Sequence, residues 1–343
     1  MKTIAITMGD SAGIGPEIIA AAWNQLQTIS DCRGIVYGHP EIMRRAAVLR
    51  KVNTDIDCVN CCSNDVLDVF PGTIDARAGN AAYSAIRRAI DDAKKHAVDA
   101  VVTAPIHKAA LHLAGHHYPG HTEIFAEQCG IENYAMMLYL GANRAGAEDA
   151  SLPVLGQYGL AVVHVTLHCA MKTIFEQITV ESVLAKIGLA DGFMRRIIGP
   201  PDRPPRIGVC ALNPHAGEEG LFGNEEIQII QPAIQRAMAQ GLQIEGPKPA
   251  DTIMIDAKAG KYDAVVAMFH DQGHIALKLL GMYKAVNVTL GLPIVRTSVA
   301  HGTAFDKAWQ GVADPGSLLE AVRVAVKLSE SPDSAIATKP IIV

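Results

Sequence analysis

Three apolar, strand-like stretches of this chain run directly into a histidine: AVVHVTL into His168, RIGVCALNP into His215 and YDAVVAMF into His270. Continuous apolar runs, as opposed to alternating ones, mark strands covered on both faces, as in a parallel sheet between helices. Ligands of such proteins gather just beyond the carboxyl ends of the strands. Three imidazoles at three strand ends are therefore candidates for one divalent-metal site with coordination positions open for a substrate. A lone histidine there is more often a hydrogen-bonded structural residue, but three in the same relation to a strand argue against coincidence. Imidazole nitrogen suits Zn, Co, Ni or Fe and tolerates Mn or Mg, so ligand type leaves the metal open.

A chain of 343 residues is long for a single core, and about 150 residues per domain suggests two. The net charge of -5, with no clustered Lys/Arg stripe, excludes an electrostatic footprint for nucleic acid or anionic membrane and leaves a small molecule as the expected partner. MKTIAITMGD is too short and too soon interrupted for a signal peptide, and no apolar run approaches the roughly 18 residues of a membrane span. The expected location is the cytoplasm. Seven cysteines, an odd number, do not suit a disulfide framework. Cys58, Cys61 and Cys62 contain a C-x-x-C spacing but lack a second Cys or His pair at zinc-ribbon distance.

Strand-like runs alternate with helical ones from the start: 3–8 then Pro16 to Gln27, 34–38 then Pro40 to Arg50, Asn80 to His96 then 97–105. Further strands are expected at 134–140, 161–167, 206–212, 263–269 and 285–290, and helices near 173–198, 224–240 and 316–330. This order predicts an α/β fold, in two α/β/α domains with mostly parallel sheets. The expected division is a discontinuous domain of 1–120 plus 290–343 and a second of 121–289. The stretch 141–159 reads as an exposed loop or hairpin excursion.

MGDSAGIGPE places Gly9, Gly13 and Gly15 before Pro16, a glycine turn entering a helix and a natural anion or substrate cradle. Its G-x-x-x-G-x-G spacing matches the nucleotide loop of short-chain dehydrogenases. Those enzymes need Tyr and Lys four residues apart, and here Tyr83 is followed by Arg87. The loop is therefore read as a wall of the active site, against the plainer reading of a tight βα turn. Lys278, Asn287 and Arg296 form a polar series in apolar surroundings, the donors that phosphate or carboxylate recognition requires. A solvated surface cation is the plainer reading for Lys278 alone. PGHTE adds His121 and Thr122, and SVAHGTAFD adds a permissive glycine and a hydroxyl at His301, Gly302, Thr303 and Ala304, suited to a nucleotide.

These segments resemble the 4-hydroxythreonine-4-phosphate dehydrogenase (PdxA) family, which includes paralogues acting on 4-phospho-D-threonate and 4-phospho-D-erythronate. MGDSAGIGPEI, TAPIHKAAL, PGHTE, LNPHAGE, PADT, FHDQGHIALK, VNVTLGLPIVRTS and HGTAFD stand in family order across essentially the whole chain. The resemblance implies an isocitrate/isopropylmalate dehydrogenase-like fold and a homodimer with a shared active site. It implies that His168, His215 and His270 bind the metal, His270 coming from the opposite subunit to the other two. His121, Thr122, Lys278, Asn287 and Arg296 would bind substrate, and His301 to Ala304 would be the cofactor loop. Lys108 and Asp251 are candidate polar helpers without an assigned proton-transfer role.

The implied chemistry is metal-dependent oxidation by NAD or NADP, with decarboxylation, of a small 4-phosphorylated hydroxy acid, the metal being Zn, Co, Mn or Mg. HDQGHIALKLLG and NYAMMLY look more like the phospho-threonate/erythronate paralogues. Ala300 where the family commonly has Asp, Trp309 in place of a small residue, Cys169-Ala170 after the first metal histidine, and the 141–159 stretch depart from the pattern and bear on cofactor contacts and substrate identity. The competing readings are a dihydrodiol dehydrogenase of aromatic degradation on the same fold, against which His121, Thr122, Lys278 and Arg296 argue, and a non-catalytic binding relic.

Overall fold

A computed structural model of the chain describes residues 1–53, 55–142, 155–200, 203–281 and 284–330. Most of the 141–159 stretch thus lies outside the described residues. The chain divides into two compact units, one of Met1–Glu132 with the described residues from Leu292 on, the other of Asn133–Gly291.

The first unit holds β1 (Lys2–Thr7), α1 (Gly15–Leu26), β2 (Cys32–Gly38), α2 (Pro40–Leu49), β3 (Cys58–Asn60), α3 (Ala76–Lys94), β4 (Ala100–Thr103), α4 (Lys108–Leu113) and α5 (His121–Cys129), and later in the chain β11 (Val295–Val299) and α11 (Gly316–Ser329). Its strands are ordered β3-β2-β1-β4-β11 and all are parallel. Ile4, Ala5 and Ile6 of β1 are fully buried, as a strand covered on both faces must be. α3 starts at an Asp75 cap that accepts the Arg77 N–H, and lays Ala78, Ala82, Ala85 and Ala89 into the core, where small side chains let helix and sheet approach. Ile86, Ile90, Leu111, Ile124, Phe125 and Leu292 complete that core.

The second unit holds β5 (Ala135–Leu140), β6 (Leu160–His164), α6 (Ile174–Gln177), α7 (Val180–Ile198), β7 (Arg206–Cys210), α8 (Gln231–Ala239), β8 (Gln243–Lys248), α9 (Ala250–Lys258), β9 (Ala264–Ala267), α10 (His270–Gly281) and β10 (Val286–Leu290). Its strand order is β10-β5-β6-β9-β7-β8. β5 runs antiparallel to both its neighbours, and β6, β9, β7 and β8 run parallel.

Several boundaries differ from the sequence reading for identifiable reasons. The unit boundary lies at Glu132, not at 120, because α5 buries Ile124 and Phe125 in the first core. His121 and Thr122 therefore belong to the first unit. The helix expected over 173–198 is two, since Thr179 starts a new one: its Oγ1 accepts the Ser182 N–H at 3.1 Å and Ser182 Oγ accepts the Thr179 N–H at 2.9 Å. HDQGHIALK is helical from its first residue, with Gly273, His274 and Leu277 inside and Ile275, Lys278 and Leu279 outside. β6 and β9 end at His164 and Ala267, three and two residues before the expected ends. Among the described residues no helix is long and apolar enough to cross a membrane.

Phe125 is fully buried, so Phe125→Ala should leave a cavity costing about 3–5 kcal/mol. The fall in the urea-unfolding midpoint measures it. A loss below about 1 kcal/mol would mean that α5 is not part of this core.

Candidate functional site

In the first unit the chain leaves β1 into a turn that only glycine fits. Gly9 has φ +72°, and a Cβ there would lie 2.4 Å from the Pro105 carbonyl oxygen. The turn buries Asp10, whose Oδ1 accepts the Ala12 N–H at 2.9 Å while Oδ2 has no partner among the described residues. Burial pushes the Asp10 carboxyl up to about 6, the Ala12 bond opposing and Asp75 adding to the shift. The expected cofactor loop braces this turn: the Thr303 carbonyl accepts the Ile14 N–H at 3.0 Å, and the Trp309 indole N–H donates to the Ser11 carbonyl at 2.8 Å. A Cβ on Gly13 would meet Thr303 at 3.0 Å. The structure thus brings MGDSAG and HGTA together, with Ala304 and Trp309 held at positive φ. His301 turns back on Gly302, its Nδ1 3.0 Å from that residue's carbonyl oxygen. Lys108 is the exposed first residue of α4.

Arg296, on β11, is only 1% exposed, which rules out a solvated surface cation. Its Nη2 donates to Thr103 Oγ1 at 2.7 Å, and its Cζ lies 5.5 Å from the centre of the Phe125 ring. Burial lowers the guanidinium to about 9, opposed by Glu123, so it stays charged at neutral pH. His121 opens α5 with Nε2 buried and unpartnered among the described residues. Burial first, then the Arg296 charge, holds its imidazole well below the usual range and hence neutral. Thr122 beside it is buried. Each of these groups is of the kind that binds an anion: a desolvated guanidinium and the donors at a helix start.

The second unit carries the three histidines. His168 is exposed, four residues beyond the last residue of β6. His270 is half-buried at the start of α10. Their ring centres are 5.7 Å apart. His215 is exposed on the turn Pro214–Gly220, and its ring neighbour is Phe222 at 6.4 Å. Among the described residues no group of three or more His, Cys, Asp or Glu is placed to hold a metal. The near pair within one chain is His168 with His270, where the resemblance implies His168 with His215.

Two features of these histidines suit metal ligation. His270 Nδ1 lies 2.7 Å from Asp271 Oδ1, the carboxylate contact that typically orients a ligating imidazole and leaves Nε2 for the ion. His215 is held at φ 53° in a run of left-handed residues, a conformation costing about 1–3 kcal/mol per residue that must be compensated nearby. Just before this run the buried Glu226 accepts from the Leu212 and Asn213 N–H groups at 2.8 and 2.7 Å and from Asn213 Nδ2 at 3.0 Å. Burial alone would raise the Glu226 carboxyl, but the Asn213 and Leu212 bonds outweigh it and the net shift is downward.

Lys278 is exposed on α10, and Asn287 on β10 is half-buried with its Oδ1 enclosed and without a partner among the described residues. Asp251 is exposed on α9. The polar series Lys278, Asn287, Arg296 is thus divided between the units, the first two in the second and Arg296 in the first.

The sequence places His274 with His270 at a strand end but assigns no role to it or to His164. Both are buried and hydrogen-bonded to each other, His274 Nδ1 to His164 Nε2 at 3.1 Å. Burial, with the neighbouring imidazoles, lowers His164 to about 3 and His274 to about 4. The available signal was the spacing H-x-x-x-H, present in both VVHVTLH and FHDQGH.

The folded pKa of Asp10, about 6 against 3.8, means its favourable contribution is full below 3.8 and lost as pH rises through 6. Asp10→Asn should therefore stabilise the protein by about 3 kcal/mol at pH 8 and by under about 1 kcal/mol at pH 4, read from urea unfolding of the two proteins. An equal gain at both pH values would sink this account.

Residues 30–325 match the family described as "Pyridoxal phosphate biosynthetic protein PdxA". The chain is 41% identical over 345 residues to D-threonate 4-phosphate dehydrogenase of Pectobacterium atrosepticum, covering 96% of this chain and 99% of that one. It is similar in structure to 4-hydroxythreonine-4-phosphate dehydrogenase from Klebsiella pneumoniae, with TM-score 0.79 and 40% identity over 95% of this chain and 100% of that one. Isocitrate dehydrogenase from Methylococcus capsulatus shares the fold alone, at TM-score 0.50 and 15% identity over 97% of this chain and 87% of that one. The chain belongs to the PdxA family of dehydrogenases.

Proposed function

We propose that this protein is a divalent-metal- and NAD(P)-dependent dehydrogenase of the cytoplasm. Its substrate would be a small 4-phosphorylated hydroxy acid such as 4-phospho-D-threonate, 4-phospho-D-erythronate or 4-hydroxythreonine 4-phosphate. The observation that carries the reading is the buried Arg296 guanidinium, bonded to Thr103 in the same unit as His121 and Thr122. A guanidinium close to a histidine and a threonine at a helix start is a donor set that suits a phosphate or carboxylate. The names of the relatives, both phosphorylated four-carbon acids, agree with this.

In this reading Arg296, His121 and Thr122 hold the phosphate, and Lys278 and Asn287 bind and orient the hydroxy acid. His168, His215 and His270 present imidazole nitrogens to the ion, and Asp271 orients His270. The Thr303 loop carries the dinucleotide. A bound divalent ion would supply Lewis acidity at the reacting hydroxyl, and NAD or NADP would accept the hydride. Oxidation of a hydroxyl β to the carboxylate leaves a β-keto acid, which loses carbon dioxide. NADH or NADPH formation with the three substrates, with and without chelator, is expected for at least one and only in the presence of metal. Absence of turnover with all three in metal-replete buffer would overturn the reading.

The protein would act as a homodimer in which a second copy completes the imidazole set. Exposed apolar side chains follow each histidine in the chain: Met171 and Phe175 after His168, Leu221 and Phe222 after His215, and Ile275 and Leu279, 58% and 84% exposed, after His270. Apolar groups so placed are what a second copy would cover. His215→Ala and His270→Ala should each abolish activity, and mixing the two under conditions of subunit exchange should restore about a quarter of it. Mixtures as inactive as their components would refute the shared site.

A further inference from the structure

We propose that His274, hydrogen-bonded to His164, is a positioning residue that fixes the imidazole of His270 for metal binding. The inference rests on the proposed role of His270 as a ligand and assigns a role to two histidines that this role does not involve. His274 follows His270 by one helical turn on α10, the spacing at which side chains stand face to face. The rings are stacked, with centres 3.8 Å apart and planes 11° from parallel. Asp271 holds the edge of the same ring through Nδ1. His270 is thus fixed on one face and one edge.

His274 is itself fixed from the sheet. His164 is the last residue of β6 and fully buried, and its Nε2 meets His274 Nδ1 at 3.1 Å with ring centres 4.6 Å apart. The contact depends on a close approach of helix to strand. A Cβ on Gly273 would lie 2.5 Å from His164 Nε2 and 2.6 Å from a methyl carbon of Val162, so only glycine permits α10 to sit there. Two apolar side chains would fill the same space without desolvating two imidazoles. What the polar pair adds is direction, since a hydrogen bond accepts one ring orientation and a methyl contact accepts many.

The test uses the full-length, substrate-free protein and the metal alone: Zn²⁺ and Co²⁺ affinity by calorimetry, and the visible absorption of the Co²⁺ form. His274→Ala should weaken binding about 10- to 100-fold, the usual effect of removing a group that orients a ligand, and alter the Co²⁺ spectrum. His164→Ala should weaken it about tenfold, and His164→Gln, whose amide still reaches His274, should recover most of the loss. The double alanine variant should be no worse than His274→Ala, because both act through one ring. If His274→Ala fails to fold, the His164→Ala and His164→Gln pair decides.

His270→Ala separates the two ideas. Loss of binding in His270→Ala with affinity within twofold of the parent in folded His274→Ala and His164→Ala overturns the positioning role alone. Parent-like binding in His270→Ala removes His270 as a ligand, and the positioning role falls with it.

Discussion

A strand buried on both faces has nowhere to put an ionisable side chain except its end, and this constraint organises the molecule. β1, β4, β6, β7 and β9 are nearly continuous apolar runs. The ionisable candidate residues begin where those runs stop: Asp10 after β1, His164 and His168 at and after β6, His215 after β7, His270 after β9. Placing a charge or an imidazole one turn earlier would put it in the sheet, where desolvation costs several kcal/mol without a partner.

Arg296 is the exception within a strand, and its surroundings show what an exception needs. It sits in β11 opposite Val101, with a hydroxyl from Thr103 on one nitrogen and the Phe125 ring under its plane. The left-handed turn at His215 is a second departure from the cheapest local structure. There the buried carboxylate of Glu226 gathers backbone N–H groups of the preceding residues and anchors the chain where it enters the turn with charge-assisted hydrogen bonds. In both places an unfavourable local state is kept by groups that converge on it from other parts of the chain.

How much of this was legible in the sequence depended on whether the determining contacts were local. β1, β2 and β4, the Pro16 and Pro40 helix starts and the glycine turn at Gly9 follow from short-range patterns, whereas β3 and β11 carry no such pattern. The break between α6 and α7 was missed although it is local, because Thr179 and Ser182 cap each other inside a stretch that otherwise reads as helix. α10 was missed because its first turn is polar and glycine-containing, and its helical state depends on packing against β6. The pair His164 and His274, 110 residues apart, could not be seen as a pair before the helix was placed.

From the sequence alone came the apolar strands, the residue types at their ends and the family motifs that name the chemistry. Those depend on period, composition and order, which the chain carries without folding. The tertiary structure decided which of these residues stand together. It set His168 beside His270 and left His215 apart, buried Arg296 against Thr103 and Phe125, and moved α5 into the first core. Those outcomes follow from burial and from hydrogen bonds between distant segments, and neither exists until the core has closed.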